Sequence, residues 1–248
     1  MISDSGNKVE QVTPYGEGAK TEQVRQMFDS IAPAYDFMNR AMTLGIDIWW
    51  RRLAVKRLKR IRPARILDVA TGTGDFAIQL YQSLHPQHIM GIDLSNKMLN
   101  EASRKVKEKG LEEAISFEQG DCMALEMADE SFDAVTVAFG VRNFEDLQQG
   151  YMEMARVLRP RGVLCVLELS TPTNPVIRWF YDIYTLHIIP WIGTKKSGDK
   201  SAYRYLPESI AAVPQGDDML QLMRNAGLRE TSFKRLTLGV CTIYLALK

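Results

Sequence analysis

Two glycines and two carboxylates lie close together in the segment 65–77, which reads Arg-Ile-Leu-Asp-Val-Ala-Thr-Gly-Thr-Gly-Asp-Phe-Ala. Its first half is a short apolar run with Asp68 inside it, which is typical of a buried parallel strand that ends at a working site. Gly72 and Gly74 allow the backbone to turn tightly and to approach a ligand, and Asp75 is a suitable first residue for a helix. The segment therefore predicts a strand, a glycine loop and a helix that bind a nucleotide-like molecule.

Two classes of ligand fit this loop. The glycines and Ala77 match the G-x-G-x-x-G/A dinucleotide fingerprint, and Asp93 follows about 20 residues later, where an acid that binds ribose belongs. The carboxylates of Asp68 and Asp75 would oppose a pyrophosphate, however. A ligand with adenine, ribose and a positive charge, such as S-adenosylmethionine, suits the loop better. An NAD-dependent enzyme and a purely structural glycine turn remain as alternatives.

The Asp-x-x-x-Gly-x-Gly pattern, followed by an acid at the end of the next strand, resembles the first two motifs of class I methyltransferases. In that class the ligand contacts come from the carboxyl ends of successive strands, which meet at one edge of the sheet. By this resemblance Asp93 holds the ribose hydroxyls, Asp121 and Cys122 meet the adenine, and 138–143 face the methyl donor. The residues expected to bind the cofactor are Asp68, Gly72, Thr73, Gly74, Asp93, Leu94, Asp121, Cys122, Ala138 and Phe139.

Strand and helix patterns alternate through the middle of the chain, which predicts a parallel sheet covered on both faces. The expected strands are Arg65–Ala70, His88–Asp93, Ile115–Gln119, Ala134–Ala138 and Val163–Leu169, with a tight turn at Pro160–Gly162 before the fifth. The expected helices between them are Asp75–Ser83, Asn96–Lys109 and Asp146–Leu158. A helix at Gly216–Ala226 and an antiparallel pair, Glu230–Leu236 and Val240–Ala246, close the chain. A mobile tail is expected at 1–20 and a single domain at 21–248.

Two segments, about 21–61 and 171–213, exceed what a minimal α/β sheet needs and are interpreted as helical caps. The first contains a helix at Thr21–Ala32 and a basic helix at Asp47–Ile61 that begins with two tryptophans, a candidate for contact with an anionic membrane surface. The second contains an aromatic run from Trp179 to Trp191, interpreted as the lining of an apolar substrate channel or a surface at the membrane interface. Between the two helices of the first segment, residues 34–42 are interpreted as a lid over an apolar ligand, with a helix that packs on the core as the alternative. The alternative for the basic helix is a solvated face, and that for the aromatic run is a hydrophobic homodimer face.

Composition excludes several classes of protein. The 248 residues carry a formal net charge of +1, which does not suggest a nucleic-acid partner. Three cysteines and three histidines, none at ligand spacing, predict neither a disulfide framework nor a metal site. No signal peptide, transit peptide or long apolar span is evident, so a cytoplasmic protein is expected.

Several longer stretches resemble the UbiE/MenG/COQ5 family of quinol C-methyltransferases. They are 28–42, 67–75, 138–143, 156–160, 181–184 and 203–210, and the resemblance extends from about Gln23 to the C-terminus. It implies a Rossmann-like α/β fold with a mainly parallel seven-stranded sheet, a terminal antiparallel strand and helical caps. It further implies S-adenosylmethionine as cofactor, with contacts at Thr73, Asp93, Asp121, Cys122 and Ala138. The implied substrate is a polyprenylated quinol, which suggests peripheral contact with the inner face of the cytoplasmic membrane.

Methyl transfer to a ring carbon requires that carbon to become nucleophilic and to lie opposite the leaving sulfur. A quinol meets the first condition when a hydroxyl beside that carbon loses its proton, and the enzyme must then stabilise an oxyanion. Arg142 is the expected catalytic cation, acting directly or through a water, and Asn143 and Tyr35 are expected to position the ring. Demethylmenaquinol is the expected acceptor. The alternatives are the benzoquinol of the ubiquinone pathway, another small-molecule or lipid methyl acceptor, and a non-catalytic binding module.

Overall fold

A computed structural model describes residues 12–185 and 200–248 of the chain. Within them the strands are β1 (Arg65–Val69), β2 (His88–Asp93), β3 (Ile115–Gln119), β4 (Phe132–Ala138), β5 (Leu158–Leu169), β6 (Arg229–Leu236) and β7 (Cys241–Leu247). The helices are α1 (Lys20–Ile31), α2 (Tyr35–Thr43), α3 (Ile46–Leu58), α4 (Asp75–Leu84), α5 (Asn96–Glu108), α6 (Leu147–Val157), α7 (Pro175–Ile183), α8 (Lys200–Ala212) and α9 (Asp217–Asn225). The second half of the predicted aromatic run, including Trp191, lies outside the described residues.

The seven strands form one sheet in the order β3-β2-β1-β4-β5-β7-β6. The first five strands pair in parallel, whereas β7 runs antiparallel to both β5 and β6. The prediction of a mainly parallel sheet with an antiparallel terminal strand is confirmed. The central strand β1 is almost entirely apolar because both of its faces are covered. Ile66, Leu67 and Val69 are fully buried.

Strand β5 is longer than the sequence pattern predicts. It begins directly after α6 and includes the predicted tight turn at 160–162 as a bulge: Phe132 pairs with Leu158, and the next pair is Ala134 with Val163. Arg161 takes a left-handed conformation with φ 66°. Its N–H donates to the carbonyl of Lys248, whose own N–H donates to the carbonyl of Gly162. The end of β7 therefore holds these residues in the sheet, a contact that local turn propensity does not contain.

Helix α3 places its apolar side against the sheet rather than at the surface. Trp50, Ala54 and Leu58 are buried, in one hydrophobic cluster with residues of β1, α4 and β5. That side is therefore not free to enter a bilayer, and the predicted contact of this helix with an anionic membrane surface would involve only its exposed residues. The opposite side keeps exposed basic residues such as Arg52 and Lys56. No helix in the described ranges is long and apolar enough to cross a membrane.

Gly91 in β2 is expected to tolerate no side chain. A Cβ at this position would lie 2.6 Å from Cδ1 of Phe117 and 2.9 Å from Cγ2 of Thr71. We expect Gly91→Ala to lower the free energy of unfolding by about 1–3 kcal/mol, because the packed core must shift to accept a methyl group. Denaturant unfolding measures the change. Gly120→Ala is the control, since its Cβ would meet no atom closer than 3.8 Å, and equal stability of both variants would contradict the prediction.

Candidate functional site

The glycine loop between β1 and α4 has the conformation that its sequence predicts. Gly72 and Gly74 have φ of 57° and 76°, in the left-handed region that favours glycine. A Cβ on Gly74 would also lie 3.0 Å from both Ala102 Cβ and Phe117 Cζ, so α5 and β3 leave no room for one. The N–H of Gly72 donates to Oδ2 of Asp93 over 2.9 Å. The loop is thus fixed to the end of the neighbouring strand β2.

Asp68 lies beneath this loop and is buried. Its two carboxylate oxygens accept hydrogen bonds from the hydroxyls of Thr71, at 2.7 Å, and Thr136, at 2.6 Å. Burial raises the pKa of Asp68 to about 6, against the opposing effect of these hydrogen bonds. Asp68 thereby links Thr71 of the loop to Thr136 of β4. Its side chain does not line the cavity described next.

Thr73 and Asp75 belong to a polar cluster beside the loop. Nζ of Lys105 lies 2.5 Å from Oδ1 of Asp75 and 2.5 Å from Oδ2 of Asp36, and it donates to the Thr73 hydroxyl over 2.9 Å. Arg40 also approaches Asp75, at 3.2 Å. Because these cations compensate the charge of Asp75, that residue does not by itself exclude a phosphate, contrary to the expectation from sequence.

A small cavity of about 60 Å³, the donor cavity, lies at the carboxyl ends of β1, β2, β3 and β4. Of the ten residues expected to bind the cofactor, seven line it, and they are Gly72, Asp93, Leu94, Asp121, Cys122, Ala138 and Phe139. Thr73, Gly74 and Asp68 support the loop and are not part of the lining. The lining contains three carboxylates, Asp93, Asp121 and Glu145, and one guanidinium, that of Arg25. The surroundings of the donor cavity are therefore net acidic.

Asp93 is held in place by backbone donors. Its Oδ1 accepts from the N–H of Ser95 and its Oδ2 from that of Gly72, both over 2.9 Å. Burial raises the pKa of Asp93 to about 6 despite these bonds. An ionised carboxylate has about four acceptor positions, so both oxygens can accept further hydrogen bonds from a ligand.

Asp121 and Cys122 follow β3 and also line the donor cavity. Oδ1 of Asp121 accepts from the N–H of Met123 over 2.9 Å. Burial raises the pKa of the Cys122 thiol well above its usual value, so the thiol is protonated and unreactive at neutral pH.

Helix α1 supplies part of the donor cavity that sequence reasoning did not assign to the site. Thr21, Val24 and Phe28 line the cavity. Oε2 of Glu145 accepts from the N–H of Thr21 over 3.0 Å and from its hydroxyl over 2.6 Å, and the hydroxyl of Ser95 donates to Asp29 over 2.6 Å. The apolar stripe of α1 predicted a packed helix, but no local pattern indicates which part of the sheet it covers.

A second cavity, of about 360 Å³ and mostly apolar, adjoins the first. We call it the acceptor cavity; Tyr35 and Phe139 line both cavities. Helices α2, α3, α7 and α8 form most of its wall, so both predicted caps contribute. The apolar side chains of its lining are Met42, Leu44, Ile46, Trp50, Phe139, Leu169, Ile177, Phe180, Leu206, Pro207, Ile210 and Val240.

Arg142 lies in the short 3-10 turn Val141–Asn143 after β4 and points into the acceptor cavity with most of its surface buried. One guanidinium nitrogen donates to Oε1 of Glu168 over 2.8 Å and also to the carbonyl of Phe139. Although burial alone would lower it, the Glu168 carboxylate raises the pKa of Arg142, so the guanidinium stays charged. Glu168, 26 residues further along the chain, is a residue that sequence reasoning missed. Arg142 is thus a buried, paired cation rather than a surface one.

Unpartnered polar atoms are concentrated beside the two cavities. Among the described residues, the buried side-chain atoms without a hydrogen-bond partner are Arg51 Nε, Arg142 Nε, Asn143 Oδ1 and Tyr205 Oη. Arg51 and Arg142 line the acceptor cavity, and Asn143 lines the donor cavity. Because such atoms are rare in folded proteins, they indicate groups that a ligand would satisfy. Tyr35 is half-buried, and desolvation raises the pKa of its hydroxyl against the opposing effect of Arg142.

The sheet order, the glycine loop and the acid at the end of β2 define the fold of a class I S-adenosylmethionine-dependent methyltransferase. Solved structures agree on the fold. A methyltransferase of this kind from Aquifex aeolicus superposes with a TM-score of 0.54 at 17% identity, over 74% of this chain and 81% of that one. The [4+2]-cyclase SpnF superposes with a TM-score of 0.68 at 18% identity, over 92% and 96%. At such identities the likeness shows the fold alone.

Sequence relatives specify the family. Residues 17–248 match the ubiE/COQ5 methyltransferase family, and the chain belongs to it. A demethylmenaquinone methyltransferase of Bacteroides fragilis is 50% identical over 240 residues, which cover 96% of this chain and 98% of that protein. One from Deinococcus radiodurans is 45% identical over 226 residues, covering 91% and 92%. The family resemblance noted from the sequence motifs is therefore confirmed.

Proposed function

We propose that this protein binds S-adenosylmethionine and methylates a ring carbon of a polyprenylated quinol, demethylmenaquinol. The observation that carries the proposal is the pair of adjoining cavities. A small acidic one lies at the glycine loop, and a large apolar one contains buried guanidinium groups. Tyr35 and Phe139, which line both cavities, are where a donated methyl group and an acceptor ring would meet. The sequence relatives named for demethylmenaquinone support this choice of acceptor.

The residues of the donor cavity fit S-adenosylmethionine. The Asp93 carboxylate has acceptor capacity left for the two ribose hydroxyls. The excess of carboxylates in the lining suits a ligand that carries a sulfonium and an ammonium, and it disfavours a pyrophosphate. The charge of Asp75 is compensated by Lys105 and Arg40, so it is the net acidic lining of the cavity that makes a dinucleotide the poorer candidate.

The chain's own residues account for activation of the acceptor. The donor supplies an electrophilic methyl group at its sulfonium. The quinol hydroxyl beside the reacting carbon loses its proton to a water, and Arg142, which lines the acceptor cavity, stabilises the oxyanion that forms. The hydrogen that the methyl group replaces then leaves the ring carbon as a proton, and the ring becomes aromatic again. Asn143 Oδ1, which lacks a partner, accepts from a ligand hydroxyl or amine, and Tyr35 packs at the junction of the cavities. The apolar walls exclude water and accept the hydrocarbon part of the substrate.

An assay of the purified protein tests the function. It is incubated with S-adenosylmethionine carrying a labelled methyl group and, under anaerobic reducing conditions, with a short-chain demethylmenaquinol, in parallel with the corresponding benzoquinol. Mass spectrometry should find the label on a ring carbon of the naphthoquinol product, with faster turnover than for the benzoquinol. A label on oxygen, or no transfer to either quinol, would overturn the proposal.

The mouth of the acceptor cavity carries exposed apolar side chains, and we place peripheral membrane contact there. Leu44 and Phe180 line the cavity and are 79% and 63% exposed. Val176 and Trp179, on the same helix α7 as Phe180, are 65% and 60% exposed. A polyprenyl chain is stored in a bilayer, so an apolar rim around the cavity lets the substrate enter without crossing water.

We expect Trp179→Ser with Phe180→Ser to weaken binding to vesicles of neutral and anionic phospholipid by about 10- to 100-fold, the loss from two aromatic side chains that no longer enter lipid. Vesicle sedimentation measures it. Met152→Ser is the control, because Met152 is also exposed, at 49%, but lies on α6 outside the cavity. Unchanged vesicle binding, together with a shift from dimer to monomer in analytical ultracentrifugation, would assign this face to a homodimer instead.

A further inference from the structure

The acceptor cavity contains a second buried guanidinium that sequence reasoning treated as part of a basic surface. Arg51, on α3, is only 7% exposed and lines the cavity together with Arg142. One of its terminal nitrogens lies 2.6 Å from Oδ2 of Asp47, which is 2% exposed and also lines the cavity. The hydroxyl of Thr43 donates to the other carboxylate oxygen of Asp47 over 2.8 Å. Arg51 is therefore held rigidly from one side.

The contacts of Arg51 leave one of its donors without a protein partner. Its Nε is buried and has no hydrogen-bond partner. Its guanidinium carbon lies 5.4 Å from the centroid of the Phe139 ring, the side chain that lines both cavities. Leaving a charged group's N–H unsatisfied inside a protein is costly, so the position is suited to an acceptor atom supplied by a substrate.

The two guanidiniums resemble each other in their surroundings. Each is paired with a buried carboxylate, Arg51 with Asp47 and Arg142 with Glu168. Both residues line the acceptor cavity, and each has an Nε without a hydrogen-bond partner. A quinol has two oxygens at opposite ends of one ring, whereas stabilising the reactive oxyanion requires only one cation. The second guanidinium that lines the cavity is therefore a candidate partner for the second oxygen.

We propose that Arg51, held in place by Asp47, binds the quinol oxygen remote from the carbon that is methylated, while Arg142 binds the oxygen beside that carbon. This inference rests on the proposed function, since it assumes a quinol acceptor. It makes Arg51 a residue of substrate specificity: the enzyme selects rings with two oxygens over rings with one. Asp47 is a positioning residue, because it acts only through Arg51.

Calorimetric titration with two ligands tests this assignment. One is a dihydroxynaphthalene with a short alkyl chain, kept reduced under nitrogen, and the other is the monohydroxynaphthalene that lacks the remote oxygen. We expect Arg51→Gln to weaken binding of the dihydroxy compound by about 10- to 100-fold, the usual effect of losing a hydrogen bond from a charged donor. Binding of the monohydroxy compound should change less than about threefold. In turnover, the loss should appear in KM rather than in kcat.

Two further variants keep the test interpretable. Arg51→Gln leaves the buried Asp47 carboxylate unpaired, which can destabilise the protein, so Asp47→Asn with Arg51→Gln is measured as well and should lose the same preference. Arg52→Gln, at the exposed neighbouring position on α3, should leave both affinities unchanged. If both Arg51 variants fold but weaken the two ligands equally, or weaken neither, the inference is overturned. If the wild-type protein methylates neither quinol in the functional assay, the proposed function fails first and this inference with it.

Discussion

Arg142→Gln is expected to lower kcat by about 10²- to 10³-fold, the usual effect of removing one donor that stabilises an oxyanion. Affinity for S-adenosylmethionine, measured by calorimetry, should stay unchanged, because Arg142 does not line the donor cavity. The physical reason lies in the pairing with Glu168. It keeps the guanidinium charged and fixed inside an apolar cavity, where a cation stabilises an anion more strongly than in water.

The pH profile separates this catalytic role from a structural one. Arg142 is expected to lower the pKa of the bound quinol. In its absence, kcat should rise by about tenfold per pH unit up to the quinol's own pKa, because the fraction of deprotonated quinol then depends on the hydroxide concentration. Arg142→Gln with Glu168→Gln serves as the control, because the single change leaves a buried carboxylate without its partner. Near-normal turnover in either variant, with donor binding intact, would show that Arg142 is not catalytic.

Binding of S-adenosylmethionine is expected to weaken below a pH of about 6, where burial has placed the pKa of Asp93. The carboxylate form accepts hydrogen bonds from the ribose hydroxyls and the protonated form does not accept both, so the donor's Kd should rise by about tenfold per pH unit below that value. Above it the Kd should be constant. Asp93→Asn should weaken binding about 100-fold and abolish the pH dependence, since it removes the charge that titrates.

Two variants isolate Asp93 from other acids. Glu118→Gln, at an exposed acid on the adjacent strand β3, should change neither the affinity nor the profile. Asp68 has a pKa raised to about 6 as well, but it lies beneath the loop and outside the cavity lining. Asp68→Asn should therefore keep the pH dependence of binding even if it loosens the loop. If Asp68→Asn abolished the pH dependence of binding, Asp68 rather than Asp93 would be the group that titrates.

The sheet was predictable because its signals are local. Apolar runs, glycines and helix caps are each contained in a few consecutive residues, and the observed bounds of β1, β2, β3 and α4 differ from the predicted ones by no more than a residue. The bulge at 160–162 was not predictable in this way, since the C-terminal strand holds it in the sheet. The burial of the apolar side of α3 was not predictable for the same reason. Its pattern shows an apolar side but not what covers that side.

The sequence by itself determined the α/β fold, the family and most of the donor cavity, because those residues lie at strand ends whose positions follow from the order of the strands. Only the tertiary structure decided the acceptor cavity. It brings α2, α3, α7 and α8 to one place, pairs Arg142 with Glu168 and Arg51 with Asp47, and lays α1 over the donor cavity. Burial also set the pKa of Asp93 and the unpartnered state of the two Nε atoms. These properties depend on desolvation by groups that are distant in the chain, and no local pattern of residues predicts which groups those are.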